Sequence, residues 1–356
     1  MCCLRQAAPL FIVHFIVQSQ TGGAERAFDV TMIAGGGVRR LRRERLRRSA
    51  AHAIAVEASR ERQYSMRQIK KLHFDSPGIG CWWMYFLPPP PELAPFVEVF
   101  WEVHGFATFA RDRILPKTTV ELIFNLGPPH RLIDPTRPGG EIVNRDAWVS
   151  GLQQRPLIVQ PCFDAKQVQS HIIGVGLRPA GAYAFFGMPM SEIANDVIDL
   201  DALAASRFSI VHARLLETAS RPDRFGLLEA LVRERMAAEV RVRPFIHWAT
   251  AQIERAHGAV RIVDLCRELG VSRKHLHKWF RQQVGLPPKQ YANVARFQRL
   301  VACLVESTPP AWSEVAQRCG FSDQSHLVHD CRAFAGMTPT ALRASLSPDG
   351  IGAVES

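Results

Sequence analysis

The chain has 356 residues, 47% of them apolar and 22% charged, which suits a soluble globular protein and excludes a collagen-like or wholly disordered one. The net charge of +11 is uneven: residues 1–65 carry 11 Lys/Arg against 5 Asp/Glu, residues 66–242 carry 19 of each, and residues 243–345 carry 14 against 7. A neutral middle and a basic end predict one module for something other than nucleic acid and one for phosphates.

The first 80 residues read as a poorly ordered basic leader, with Met66 or Met84 as alternative starts. Leu10 to Val17 is apolar but too short to span a bilayer, and the Arg-rich run Arg39 to Arg48 suits nucleic acid or an acidic membrane surface. Residues 81–200 read as an antiparallel β-rich module. Pro88 to Pro91 stiffens its entry. Val120, Leu122, Phe124 and Leu126 alternate on one face, and strands are expected at 147–151, 157–160 and 169–177, where His171, Ile173, Val175 and Leu177 share a face. Amphipathic helices are expected over 201–219 and 223–240, so residues 201–242 read as a helical linker or dimerisation region. The Glu229–Arg233 pair supports the second helix. Pro244 opens an all-α domain over 243–345, and residues 346–356 are expected to be a disordered tail. The fold class is α+β overall.

Within 243–345 one pattern occurs twice. Leu265, Cys266, Leu269, Gly270, Ser272, Leu276, Phe280, Gly285 and Pro288 are answered by Val315, Ala316, Cys319, Gly320, Ser322, Leu327, Cys331, Gly336 and Pro339. The offset is 50 up to the serine and 51 beyond it. A short apolar-faced helix, a glycine turn, a serine cap and a second helix make a helix-turn-helix, and two copies are too few for a solenoid. With Leu276 and Phe280 buried, Lys274, Lys278 and Arg281 fall roughly 140–200° away at about 100° per residue. His277 flanks them and Arg273 reaches outward from the first turn. The arc holds no acid, so phosphate is the expected partner. In the second copy the arc opposite Leu327 and Cys331 carries Ser325, Val328, His329 and Arg332, with Gln324 at its edge. These groups suit base edges and a thymine methyl. Ser272 and Ser322 read as N-caps, whose free N–H groups also suit phosphate. A helix from Pro288 to Val305 joins the copies and sets two recognition helices for successive major grooves about 34 Å apart. On it, Arg296 and Arg299 either touch phosphates or brace the lobes.

Taken in order, Gly270-Val271-Ser272-Arg273-Lys274-His275-Leu276, Gly285-Leu286-Pro287-Pro288, Arg296, Cys319-Gly320-Phe321-Ser322-Asp323-Gln324-Ser325-His326-Leu327 and Gly336-Met337-Thr338-Pro339 resemble the AraC/XylS family of bacterial transcription regulators. The resemblance implies two helix-turn-helix lobes, sequence-specific binding of double-stranded promoter DNA, contact with RNA polymerase and a cytoplasmic location. Residues 84–200, with Ile114-Leu115-Pro116 and Glu121 to Leu126, resemble the β-rich sensing module of one subset. That implies a small-molecule effector and a possible homodimer, with activation or repression left open. The chain departs from the pattern at Trp312, at His329 and at Cys331, where the family buries an aromatic ring. A cysteine there predicts a cavity unless Trp312 or Phe334 fills it.

No enzymatic activity, cofactor, metal or membrane partner is expected. A β-barrel metal enzyme is the alternative, but His104, His130 and His171 are scattered, and His275 and His277, two apart on a helix, diverge. The eight cysteines show no zinc-site spacing, and Cys266, Cys319 and Cys331 read as small core residues. An interaction protein with a decayed second lobe is a third reading. Trp101, Glu121, Asn125 and Arg178 are candidate pocket residues.

Overall fold

Runs of β-branched and aromatic residues fold as strands, and helical periodicity takes over after Arg178. The computed structural model describes residues 67–76, 80–107, 111–134, 141–144, 146–162, 168–203, 207–236, 242–305, 311–347 and 352–355. The Leu10–Val17 run, the Arg39–Arg48 run, Met66, Cys2 and Cys3 lie outside them.

The strands are β1 (Lys70–Ser76), β2 (Gly80–Leu87), β3 (Val97–Ala107), β4 (Arg111–Ile114), β5 (Val120–Asn125) and β6 (His130–Ile133). They continue with β7 (Glu141–Asn144), β8 (Ala147–Ser150), β9 (Leu157–Pro161), β10 (Val168–Leu177), β11 (Val197–Asp199) and β12 (Gly352–Glu355). Seven form a sheet in the order β1-β2-β3-β10-β5-β8-β11, and five form a second in the order β12-β4-β9-β6-β7. Neighbouring strands in both sheets run antiparallel. The expected alternation in β5 holds, with Val120, Leu122 and Phe124 buried. Leu132, Trp148, Leu157 and Val197 form a small apolar cluster of their own, against which Ile114, Ile123, Val159 and Ile172 pack.

The opposite face of the larger sheet is covered by helices. These are α1 (Pro179–Phe186), α2 (Leu200–Leu203), α3 (Arg207–Glu217) and α4 (Arg221–Met236). Phe208, Leu215, Phe225, Leu228 and Val232 are buried in the same cluster as Phe100, Phe124 and Ile173. The described helices within 201–242 therefore cover the β-rich module, and the stretch expected as one helix over 201–219 holds α2 and α3. Glu102 on β3 pins α4 down. Its carboxylate, fully buried, accepts from Arg224 Nη2 (2.6 Å) and Arg221 Nε (2.9 Å). The Arg221 guanidinium also lies 3.3 Å over the Tyr85 ring.

The last region is helical: α5 (Pro244–Arg255), α6 (Ile262–Leu269), α7 (Arg273–Gln283), α8 (Pro288–Leu304), α9 (Trp312–Arg318), α10 (Gln324–Ala335) and α11 (Pro339–Ser345). Its buried residues join the module's core in one cluster, and residues 69–356 form one compact unit.

Two boundaries differ from expectation. A strand runs over 70–76, inside the 1–80 stretch read as leader, because Leu72, His73 and Phe74 pair with Met84, Trp83 and Trp82 of β2. The tail read as disordered holds β12, which pairs with β4 from Gly352↔Ile114 to Glu355↔Arg111. Ala353 is fully buried there, and Ser347 exchanges hydrogen bonds with Gly352 (2.9 and 3.1 Å), so local turn chemistry and one apolar side chain return the chain to a sheet edge.

Candidate nucleic-acid interface

Each lobe is a short helix, a glycine turn and a capped second helix. In the first, α6 ends at Gly270 (φ 64°), whose left-handed backbone lets Val271 N donate back to Cys266 O at 3.0 Å. Ser272 caps α7, its hydroxyl accepting from His275 N at 3.2 Å. In the second lobe the cap is Asp323, not Ser322. Asp323 Oδ1 accepts from His326 N at 2.8 Å, while the Ser322 hydroxyl donates to Asp323 Oδ2 at 3.0 Å. The extra residue after the serine explains the change: offset 51 places Asp323, not Ser322, at the position of Ser272. The cap bonds hold the Asp323 carboxyl below its ordinary range.

The two α7 anchors, Leu276 and Phe280, are fully buried. Arg273, Lys274, His277, Lys278 and Arg281 are exposed, and α7 carries no acid. Behind them Trp279 is half-buried, with the Arg243 guanidinium 3.5 Å over its ring. This stack was not legible in sequence, since Arg243 precedes α5 and reaches α7 only in the folded lobe. On α10, Leu327 and Cys331 are fully buried, whereas Gln324, Ser325, His329 and Arg332, with Ser322 ahead of them, are exposed. Val328 is half-buried. Asp330, the acid of this helix, turns inward, 7% exposed and 3.5 Å from His326 Nε2.

The place of the expected aromatic at 331 is taken by a neighbour one turn on. Phe334 stacks on Phe297 of α8 with ring centroids 5.2 Å apart, and Cys331, its thiol pushed up to about 12 by burial, closes the same core. Cys319 and Cys303 thiols meet at 3.5 Å, and Cys266 is buried. Cys266, Cys319 and Cys331 are core residues, as read.

Arg296 braces the lobes rather than facing outward. It is 5% exposed, donates to Gly320 O (3.2 Å) and Asn293 Oδ1 (2.6 Å), and lies 5.2 Å from the Phe321 ring. Arg299 is half-buried. The α8 helix between the lobes has 17 residues, about 25 Å at 1.5 Å per residue.

The candidate pocket residues separate. Trp101 Nε1 donates to Glu121 Oε2 at 2.9 Å, so these two lie together, while Asn125 holds its own turn through Gly127 and Pro128. Arg178 is structural: it pairs with Glu98 and with Glu254, and Glu254 accepts a hydrogen bond from Tyr291 of α8. Strand pairing brings His104 and His171 side by side, rings 5.8 Å apart, although His130 stays separate against Pro128 O. Burial, then His171 and Arg221, lower the His104 imidazole. Among the described residues, no group of three or more His, Cys, Asp or Glu could hold a metal, and no helix is long and apolar enough to cross a membrane.

Residues 265–345 match a family model described as a helix-turn-helix domain, and residues 85–199 match one described as a domain of unknown function, DUF6597. The chain is 26% identical over 136 residues to the HTH-type transcriptional activator RhaS of Escherichia coli (strain SE11), covering 38% of this chain and 40% of that protein. It is 31% identical over 81 residues to the probable transcriptional regulator LumQ of Photobacterium leiognathi, covering 23% of this chain and 32% of that one. The aligned stretches thus span less than half of either relative. Among solved structures, apo ToxT from Vibrio cholerae strain SCE256 aligns with 69% of this chain and 98% of its own, at 10% identity and a TM-score of 0.41.

Proposed function

We propose, for a chain that belongs to the AraC/XylS type by its C-terminal helix-turn-helix domain, that it regulates transcription by inserting α7 and α10 into successive major grooves of a promoter. The observation that carries this is the outer arc of α7: five exposed basic or hydrogen-bonding side chains, no acid, and a buried Leu276–Phe280 back. Lys274, Lys278 and Arg281 take phosphates or guanine. The neutral groups Gln324, Ser325 and His329, with Arg332, refine the choice of base. The braced α8 helix sets the spacing, so one lobe grips and the other reads.

Genome-wide mapping of bound DNA supplies the site, and a salt titration on it tests the mechanism. Lys274→Ala lowers the slope of log K against log salt by about 0.9 if Lys274 neutralises a phosphate. An unchanged slope removes Lys274 from the interface. A bound motif with only one major-groove block would sink the two-lobe reading.

A further inference from the structure

Arg243 stands just ahead of α5, exposed, and is fixed from two sides. Its backbone N donates to Oε1 of the buried Gln283 at 3.0 Å, and its guanidinium lies 3.5 Å over the Trp279 ring. The Lys278 ammonium is 5.5 Å from the centroid of the same ring, so one indole holds two cations. His275, also exposed, has its ring 6.3 Å from that of Trp279 and 5.6 Å from that of Phe245 on α5. Among the described residues neither cation forms an ion pair, and the Arg243 guanidinium donates no hydrogen bond.

Two cations on one ring repel each other, and an anion between them relieves that repulsion. A guanidinium stacked on an indole keeps its N–H fork free in a set orientation, and the fork matches two phosphate oxygens. Trp279 follows Lys278 by about 100° around α7. The ring therefore stands between the basic arc and the buried back, and Arg243 extends the arc from outside the helix. We infer that Arg243 is a ligand for one backbone phosphate of bound DNA, and that Trp279 is the positioning residue that holds it beside the groove α7 enters. The inference rests on the DNA-binding reading above and adds to it a contact made from outside both recognition helices. A phosphate contact fixes a helix's register on the duplex and has no base preference of its own. Arg243 thus sets how α7 sits, while the α7 face does the reading.

The test uses full-length protein and a DNA site that the wild type binds. Arg243→Gln should weaken binding about tenfold or more, the scale of one charge-assisted hydrogen bond. The loss should be equal on matched and mismatched sites, and the magnitude of the salt slope should fall by about 0.9. Arg243→Lys should restore the slope but not the full affinity, since lysine keeps the charge without the fork. Trp279→Phe should stay within about threefold of wild type, whereas Trp279→Leu should lose affinity as Arg243→Gln does. Methylphosphonates, which remove one phosphate charge at a time, should reveal a position that costs the wild type affinity and leaves Arg243→Gln indifferent. The thermal midpoints of wild type and Arg243→Gln should agree. An unchanged salt slope in Arg243→Gln, or no phosphate at which the two proteins differ, overturns the inference. So does an affinity loss that tracks a lowered thermal midpoint and that Arg243→Lys does not relieve, because the stack would then serve folding. Wild-type protein that binds no DNA would strike the regulator reading and this contact with it, whereas a Lys274-dependent complex indifferent to Arg243 strikes the contact alone.

Discussion

Glu102 shows how one buried charge organises the β-rich module. Burial works against the ionised carboxylate, but the His171 hydrogen bond and the Arg224 and Arg221 cations outweigh it, so the group titrates below its ordinary 4.5. A depressed folded value contributes stability above the unfolded value, and that contribution is lost as pH falls through the folded one. Glu102→Gln should therefore cost roughly 3–5 kcal/mol in urea unfolding at neutral pH, because two buried-side arginines lose their counter-charge. The gap between wild type and variant should close as pH drops below 4.5. A gap that stays constant with pH would show that packing, not charge, sets the cost. Such a cluster was not legible in sequence: Glu102, His171 and Arg224 are brought together by strand register and helix docking, neither of which leaves a local pattern. The α7 face was legible, because helical spacing alone decides which of its residues share a side.

At the scale of elements, the recognition lobes followed from periodicity and glycine turns, but the second cap was read at Ser322, whereas the chain uses Asp323, the residue that the offset of 51 sets opposite Ser272. The strands were read less well. β2, Gly-Cys-Trp-Trp-Met-Tyr-Phe-Leu, is a continuous apolar run that periodicity cannot separate from a buried helix, and β12 has only four residues. The α7–α8 junction depends on one backbone shape. Gly285 has φ 98°, and a Cβ there would stand 2.8 Å from the Met190 carbonyl oxygen of the module. Gly285→Ala should cost about 1–3 kcal/mol from backbone strain, read as a lowered thermal midpoint. It should also loosen the contact between the first lobe and the module, read as faster proteolysis near residue 190. A variant as stable as the wild type would show that the junction yields without strain.

At the scale of the whole molecule, both lobes are tied to the β-rich module. Arg178 links β3 to α5 through Glu98 and Glu254, and Thr118 donates to Gln298 of α8 at 2.9 Å. On the second lobe, Arg113 of β4 donates to Ala335 O at 3.1 Å, placing a cation at the C-terminal end of α10, where the helix dipole favours one. Beside it β12 occupies the β4 edge. Deleting residues 348–356 should strip hydrogen-exchange protection from β4 and from the last turn of α10 while α6 and α7 keep theirs. Retained protection in β4 would mean that β9 alone holds that strand.

The same pairing orders events during synthesis. β4 is made early, yet its outer neighbour is the last strand described, and Arg113 and Ala335 are already 222 positions apart. The helical lobes, built from local contacts, are complete before the smaller sheet gains its final edge. A nascent chain halted ahead of residue 352 thus presents two finished lobes beside an unsealed strand, the kind of edge that recruits a stray neighbour.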